Sequence, residues 1–389
     1  MSYNLNYNVP VPNINAYVHL AYGFDAQKWQ QDWKSGTKIG LNEEFPYGYH
    51  HAAAFGAQVI YSTDHRENAP QKILRYALRL LCGFDLVHAW RNRQKIHAAD
   101  VVWTHTESQS LAVLCVMCLF NTAKKPKVIA QSVWLYDEWP RLNGLKKLFY
   151  RRLLRTADIL SVLSPLNRDL AARLFPTQRV EFVKFGIRAD YDPLPKSSLT
   201  GRPIRVLSLG NDRHRDWGTL IAATQNQPDI EVKLATTSLK RPPEAGNISV
   251  VRAQTNDELF GLFDWADLVV LALEPNLHVS GITVILEATI LGLPVICSRA
   301  GGLEAYFHSG EVFYVEGEDP AQLRTAIQLL ARDEAQRQAL VRNARQRLHD
   351  DELTSTGYAR RHVELSRQLL GHAPQAAARP KAWHDINAL

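Results

Sequence analysis

A chain of 389 residues, 46% hydrophobic and 22% charged, is neither disordered nor fibrous, and domains of about 100 to 200 residues make two the expected number. Its four cysteines, Cys82, Cys115, Cys118 and Cys297, are too few for a disulfide framework and point to a reducing cytoplasm, while the apolar neighbours of the Cys115/Cys118 pair speak against redox chemistry. The formal net charge of +6 favours an anionic partner without choosing among nucleic acid, phospholipid and phosphate-bearing substrate.

The opening MSYNLNYNVPVPN lacks a basic stretch followed by an apolar one, so no secretory signal is expected. Short β-branched runs near Ala16, Gln58, Val101, Lys127, Ile159 and Arg179 read as strands. Amphipathic stretches from Tyr47 to Phe55, Pro70 to Cys82, Ser108 to Phe120 and Asn143 to Leu154 read as helices between them. The apolar run around Ser110 to Phe120 falls short of the roughly 20 residues that span a bilayer and predicts a buried helix. Between the first two strands lies a long insertion, Gly23 to Tyr49, whose Trp29 and Trp33 are candidates to stack on sugar rings. His105 and Glu107 follow the strand at Val101, the edge at which α/β sheets place ligands, although Thr106 or Ser108 could equally cap the next helix there.

From Asp192 to Pro203 the sequence DPLPKSSLTGRP breaks the periodicity as a linker does, dividing residues 1–195 from 196–370. The strand and helix alternation then restarts at Ile204 and runs to a helix from Pro320 to Ala331, which gives two Rossmann-like α/β halves in series. The tail from Gly371 has little apolar periodicity and reads as mobile.

The most informative segment is HVSGITVILEATILGLPVICSRAGG, His278 to Gly302, a loop, helix, turn and strand. Ser280 and Gly281 precede the helix, so unpaired N–H groups at Ile282 and Thr283 gather at the positive end of its dipole, as suits a diphosphate. Glu287, four residues after Thr283 on the same face, is placed to accept the hydroxyls of a ribose. Upstream, LSLGNDRHRDWGTLIAA sets Gly210, Asn211, Arg213 and Arg215 in a basic loop at the end of a strand.

Glu287, Ala288, Gly292, Pro294, Val295 and Ile296 match the second part of a motif found in retaining glycosyltransferases of family 4, and the chain resembles that family over most of its second half. Val279 stands where the family's first glutamate would be, with Glu274 a neighbouring replacement. Gly210 matches a family glycine, Asn211 replaces an arginine, Arg215 falls at a lysine position, and Gly186 occupies the glycine of the turn entering the linker. The resemblance implies a GT-B architecture, two Rossmann-like domains across a cleft, with the acceptor in the first and the nucleotide sugar in the second. It further implies hexosyl transfer with retention from a donor such as UDP-glucose to a saccharide acceptor; a polyprenyl-diphosphate-linked acceptor and exopolysaccharide or surface-glycan synthesis follow if the basic helix described below contacts lipid. Catalysis would fall to His105, Glu107, Arg213 and Arg215, and donor binding to Gly210, Asn211, Ser280, Gly281, Ile282, Thr283 and Glu287. Without an Asp-x-Asp donor-loop motif, no metal and no cofactor are expected beyond the co-substrate.

The basic stretch RLNGLKKLFYRRLLRTADIL, Arg141 to Leu160, is compatible with peripheral contact to anionic lipid on the inner face of a membrane, or with a plain solvated helix. Two other readings compete: a GT-B sugar-nucleotide epimerase, for which Glu107 and Asp137 are the available acidic groups, and a non-enzymatic basic lipid- or nucleic-acid-binding protein. The positive charge is dispersed over both halves, so no nucleic-acid partner is expected.

Overall fold

A computed structural model describes residues 14–120, 125–193, 199, 201–239, 241 and 243–372. The expected linker falls partly, and the expected mobile tail beyond His372 entirely, outside the described residues. The first half builds a parallel sheet from β1 Ile14–His19, β2 Ala57–Tyr61, β3 Val101–Thr104, β4 Lys127–Ser132, β5 Ile159–Val162 and β6 Val180–Phe182, in the order β2-β1-β3-β4-β5-β6. The second repeats the plan with β7 Ile204–Leu209, β8 Ile230–Ala235, β9 Ile248–Val251, β10 Leu268–Leu271, β11 Val295–Ser298 and β12 Phe313–Val315, ordered β12-β11-β10-β7-β8-β9. Helices cover both faces, which is why β3, β5, β10 and β11 are buried at every residue and read as continuous apolar runs.

In each sheet the strand order reverses once, between β1 and β3 and between β7 and β10. Adjacent crossovers leave in opposite directions at such a point, so a crevice opens at the carboxyl ends of the strands. The two crevices carry the polar residues singled out in the sequence.

Three features differ from the sequence reading. The stretch expected as a helix from Tyr47 is a 3₁₀ run, Pro46–Phe55, kinked by left-handed backbone at Tyr47 and Gly48. A Cβ at Gly48 would collide with Ser355, so the kink serves a close approach. The insertion contains its own helix, Ala26–Lys34, capped by the Asp25 side chain on the Lys28 N–H. The last helix, Ser355–Leu370, crosses back to the first sheet and packs on Pro46–Phe55. There Ser366 Oγ accepts from Trp103 Nε1 at 2.9 Å and the Tyr358 hydroxyl donates to Gln131 Oε1 at 2.6 Å. Although it lies within residues 196–370, this helix completes the core of the first half.

Candidate active site

In the second half, β7 is followed by Gly210, whose φ of +126° only glycine adopts without strain. The chain loops out and returns with Arg215 bridged to Leu273 just past β10. Arg215 is 7% exposed; its Nε donates to Leu209 O and its Nη1 to Ser280 Oγ, both at 2.9 Å. Among the described residues no carboxylate pairs with this guanidinium, and burial lowers its pKa. It lies between two glycines: a Cβ on Gly210 would come within 2.6 Å of Nη2, and one on Gly281 within 3.3 Å of Nη1. A buried cation with neutral partners is costly unless an anion completes it.

The helix expected from Thr283 runs Ile282–Ile290, starts at Gly281 with a φ of +91°, and has no side chain capping its first N–H groups. Ile282 N–H turns back to Val279 O, while Thr283 is exposed at the helix entrance. The positive end of the dipole thus sits next to Arg215 and Ser280, a ready anion site. Asn211 is elsewhere engaged: its Oδ1 accepts from Thr236 Oγ1 and from the Thr237 N–H and hydroxyl, so it shapes the neighbouring loop. Glu274, the candidate replacement for the family's first glutamate, is exposed.

Glu287 lies in the same helix but meets the first half of the chain. Its Oε1 accepts from the Leu41 backbone N–H at 3.1 Å, and Gly40 is so close that a Cβ there would come within 2.9 Å of the carboxylate. Burial raises its pKa to about 7. The insertion is held in that position by Gly40 N–H donating to Asn256 Oδ1 at 2.9 Å and by the indoles of Trp29 and Trp33, which donate to Glu43 O and Asn42 O. Trp29 also packs against Tyr47 and beneath Lys38 Nζ, so its ring faces are used inside the protein and are closed to a sugar.

Between the halves runs a polar network that the sequence reading did not assemble. His278 Nδ1 lies 3.0 Å from Asp137 Oδ2 and its Nε2 3.1 Å from Asp212 Oδ2, while Asp212 Oδ1 accepts from the His214 N–H at 2.8 Å. Asp137 also accepts from Leu277 N–H, Arg213 pairs with Glu138, and Trp134 Nε1 reaches Asp212. Burial opposes charge on His278, but its hydrogen bonds to the two aspartates outweigh burial and raise its pKa; the same contacts hold Asp137 and Asp212 below the ordinary carboxylate range against their own burial. Ligand atoms of Asp212, His214 and His278 lie within 4.8 Å of one another, a set able to hold a cation.

The first-half crevice forms a cavity of about 380 Å³, lined among others by His19, Tyr22, Tyr47, His105, Glu107 and Trp134. His105 stacks on Tyr47 with centroids 3.5 Å apart, its Nδ1 is 3.1 Å from the Tyr49 hydroxyl, and burial depresses its pKa to about 3. Burial likewise depresses His88, at the same cavity, to about 4. These imidazoles are neutral near pH 7 and offer hydrogen bonds rather than charge. Glu107 opens the helix Glu107–Leu119, and its Oε2 accepts from the Val133 and Trp134 N–H groups. Burial is the largest influence on its pKa, which is raised. Thr106 caps the helix in a box with Gln109.

Residues 245–347 match the family described as Glycosyl transferases group 1. Over 169 residues the chain is 31% identical to D-inositol 3-phosphate glycosyltransferase of Corynebacterium urealyticum, a stretch that covers 43% of this chain and 36% of that protein. Sucrose-phosphate synthase from Thermosynechococcus elongatus superposes with a TM-score of 0.67 at 16% identity, covering 92% of this chain and 99% of its own. Anabaena HepE in complex with UDP-glucose superposes at 0.62 with 12% identity, over 92% and 99% of the two chains. The fold is GT-B. Two six-stranded parallel sheets with facing crevices are its elements, as the motif resemblance implied.

Within this GT-B frame, Gly210, Arg215, Ser280, Gly281, Ile282 and Thr283 converge at one crevice, and His105 and Glu107 line the other. Arg213 is directed to Glu138 across the cleft and Asn211 to the Thr236 loop, so neither points at the Arg215 pocket. The residues that sequence reasoning missed are Asp212, His214 and His278. Two of them sit inside the loop read for its arginines, and the third opens the glycine motif.

Proposed function

We propose that the protein is a glycosyltransferase that binds a nucleoside diphosphate sugar at the second-half crevice, and the observation that carries this is the buried Arg215. A guanidinium completed by a carbonyl and a hydroxyl, between two glycines and beside an uncapped helix, fits a diphosphate: bidentate contact from Arg215, the backbone N–H of Thr283 and Ser280 Oγ, while the Ile282 N–H, expected to be free, is taken by Val279 O. As the sugar leaves, negative charge grows on the diphosphate, and these preorganised donors stabilise it. In the retaining reading, the acceptor hydroxyl attacks from the same face and passes its proton to the departing phosphate, so no protein nucleophile is needed. Glu287 receives the ribose hydroxyls in place of the Leu41 N–H, which requires the insertion to shift.

The acceptor side is the cavity at His105 and Glu107, whose neutral imidazoles and aromatic rings suit a saccharide, free or carried on a polyprenyl diphosphate. A UDP-hexose donor is supported by the HepE complex, which shares only the fold, and surface-polysaccharide synthesis follows if the basic stretch Arg141 to Leu160 contacts lipid. The epimerase reading is weaker: Asp137 is taken up by His278 and Leu277, and Glu107 by two amides, so neither acidic group that reading relies on is free for acid-base work at a sugar.

Isothermal titration with UDP, GDP and ADP, without metal and then with magnesium, tests the assignment. One nucleotide should bind in the micromolar range without metal. Arg215→Ala should weaken it roughly 10- to 100-fold, the worth of a charged hydrogen bond, and Glu287→Ala should weaken it less. Undiminished affinity in both variants would remove the site, and strict magnesium dependence would bring the Asp212, His214 and His278 set into donor binding.

A further inference from the structure

The helix Ala69–Cys82 is built inside out. Its one buried residue is Arg75, whose guanidinium pairs with Glu67 and Asp85 at 2.8 to 3.0 Å. The apolar side faces outward, with Leu80 at 83% and Leu81 at 73% exposure, and Ile73 and Leu74 also exposed. Beside it lies the helix Gly144–Leu154: the Tyr150 hydroxyl donates to Cys82 O at 2.8 Å and Phe149 stacks on Phe84. That helix also turns large apolar groups outward, Leu145 at 81% exposure and Leu148 at 68%. Neither helix contains an aspartate or glutamate, while Lys72, Arg79, Lys146, Lys147, Arg151 and Arg152 stand among the leucines.

We infer that the face formed by the helices Ala69–Cys82 and Gly144–Leu154 docks on the surface of an anionic phospholipid bilayer. Leucines ringed by cations with no carboxylate match the layered chemistry of that surface: the apolar groups enter the acyl boundary while Lys and Arg remain among the phosphates. A second copy of the chain is the poorer occupant, because two such faces would bring like charges together. The inversion of the first helix has a local cause, since Glu67 and Asp85 draw Arg75 inward and so commit the opposite side to the outside.

The face adjoins the first-half cavity, because Arg79 of the helix Ala69–Cys82 lines it, as does Asp85, the inward partner of Arg75. On the transferase reading above, an acceptor anchored in the bilayer by an apolar tail presents its sugar to the cavity without leaving the membrane.

Co-sedimentation of the full chain with vesicles of phosphatidylglycerol and phosphatidylcholine in equal parts, against phosphatidylcholine alone, tests the inference. The wild type should pellet with the mixed vesicles and remain in solution with the neutral ones. Leu80→Glu/Leu81→Glu and, separately, Leu145→Glu/Leu148→Glu should lower the bound fraction at least about tenfold, since each buried CH₂ lost adds to the penalty. Lys146→Glu/Lys147→Glu should remove the preference for anionic lipid. The leucines are exposed, and the half-buried Lys146 and Lys147 give up only the Lys147 contact with the Pro140 carbonyl, so the variants should keep UDP affinity and a melting temperature close to the wild type's. A wild type that stays in solution with anionic vesicles at low salt overturns the inference, as do leucine variants that bind undiminished. A dimer on gel filtration that Leu80→Glu/Leu81→Glu dissociates would assign the face to a second copy instead. Vesicle binding without UDP binding would leave the docking face standing and remove the transferase reading, and the converse would do the opposite.

Discussion

An imidazole between two carboxylates, each from a different half of the molecule, makes the closed cleft sensitive to pH. The pKa of His278 is raised in the fold, so its contribution is complete below the ordinary imidazole value of 6.5 and is lost as pH rises through the folded value. Asp137 and Asp212 are lowered, so theirs is complete above the ordinary 3.8 and is lost as pH falls through their folded values. Stability from this network therefore peaks between those limits. His278→Gln should cost about 2 kcal/mol there, the range for a hydrogen bond to a charged group, and its deficit should shrink on the alkaline side in thermal melts. Arg215 is legible in the sequence because a basic residue just past a strand has few other duties. The partner of Glu287 is not, because Leu41 is 246 positions away and reaches it only once the two halves face each other.

Whole elements follow local rules where burial is uniform and escape them where a distant segment decides the backbone. Strands such as Val101–Thr104 and Ile204–Leu209 have the bounds their apolar runs suggest, since both sheet faces are covered and nothing competes. The 3₁₀ run Pro46–Phe55 departs from its helical reading because Ser355 leaves no room at Gly48 for a side chain. The amphipathic pattern of Ala69–Cys82 marks a helix correctly but does not say which side faces in; an ion pair outside the helix settles that. Gly186, read as the glycine of the turn entering the linker, has a concrete reason to be one: a Cβ would run into the Thr354 carbonyl. Gly186→Ala should lower stability by about 2 to 3 kcal/mol, the scale for forcing backbone apart in a packed core, measurable by denaturant unfolding.

At the scale of the molecule, the GT-B plan follows from two rounds of alternating strands and helices, while the return of the last helix leaves no mark in a sequence read from left to right. Ser355–Leu370 carries Tyr358, Val363 and Ser366 into the core beside Tyr49 and Trp103. A chain ending at Asp350 should therefore expose the first-half core and recover as aggregate or as a dye-binding, loosely packed species, although both sheets retain every strand. The same return means that the polypeptide crosses between the halves twice, once at Gly186–Ile187 and once at Thr354. The two crossings are bridged to each other, with Ser355 N–H donating to Ile187 O at 2.9 Å. Two bonded crossings act as a pinned axle where a single linker would be a tether. Such an axle should favour one principal rotation over the sliding and twisting that one strand would permit. Any opening about it would return Arg215 and the His105 cavity along the same arc, so that much of the search for a productive alignment would be settled before any substrate arrives.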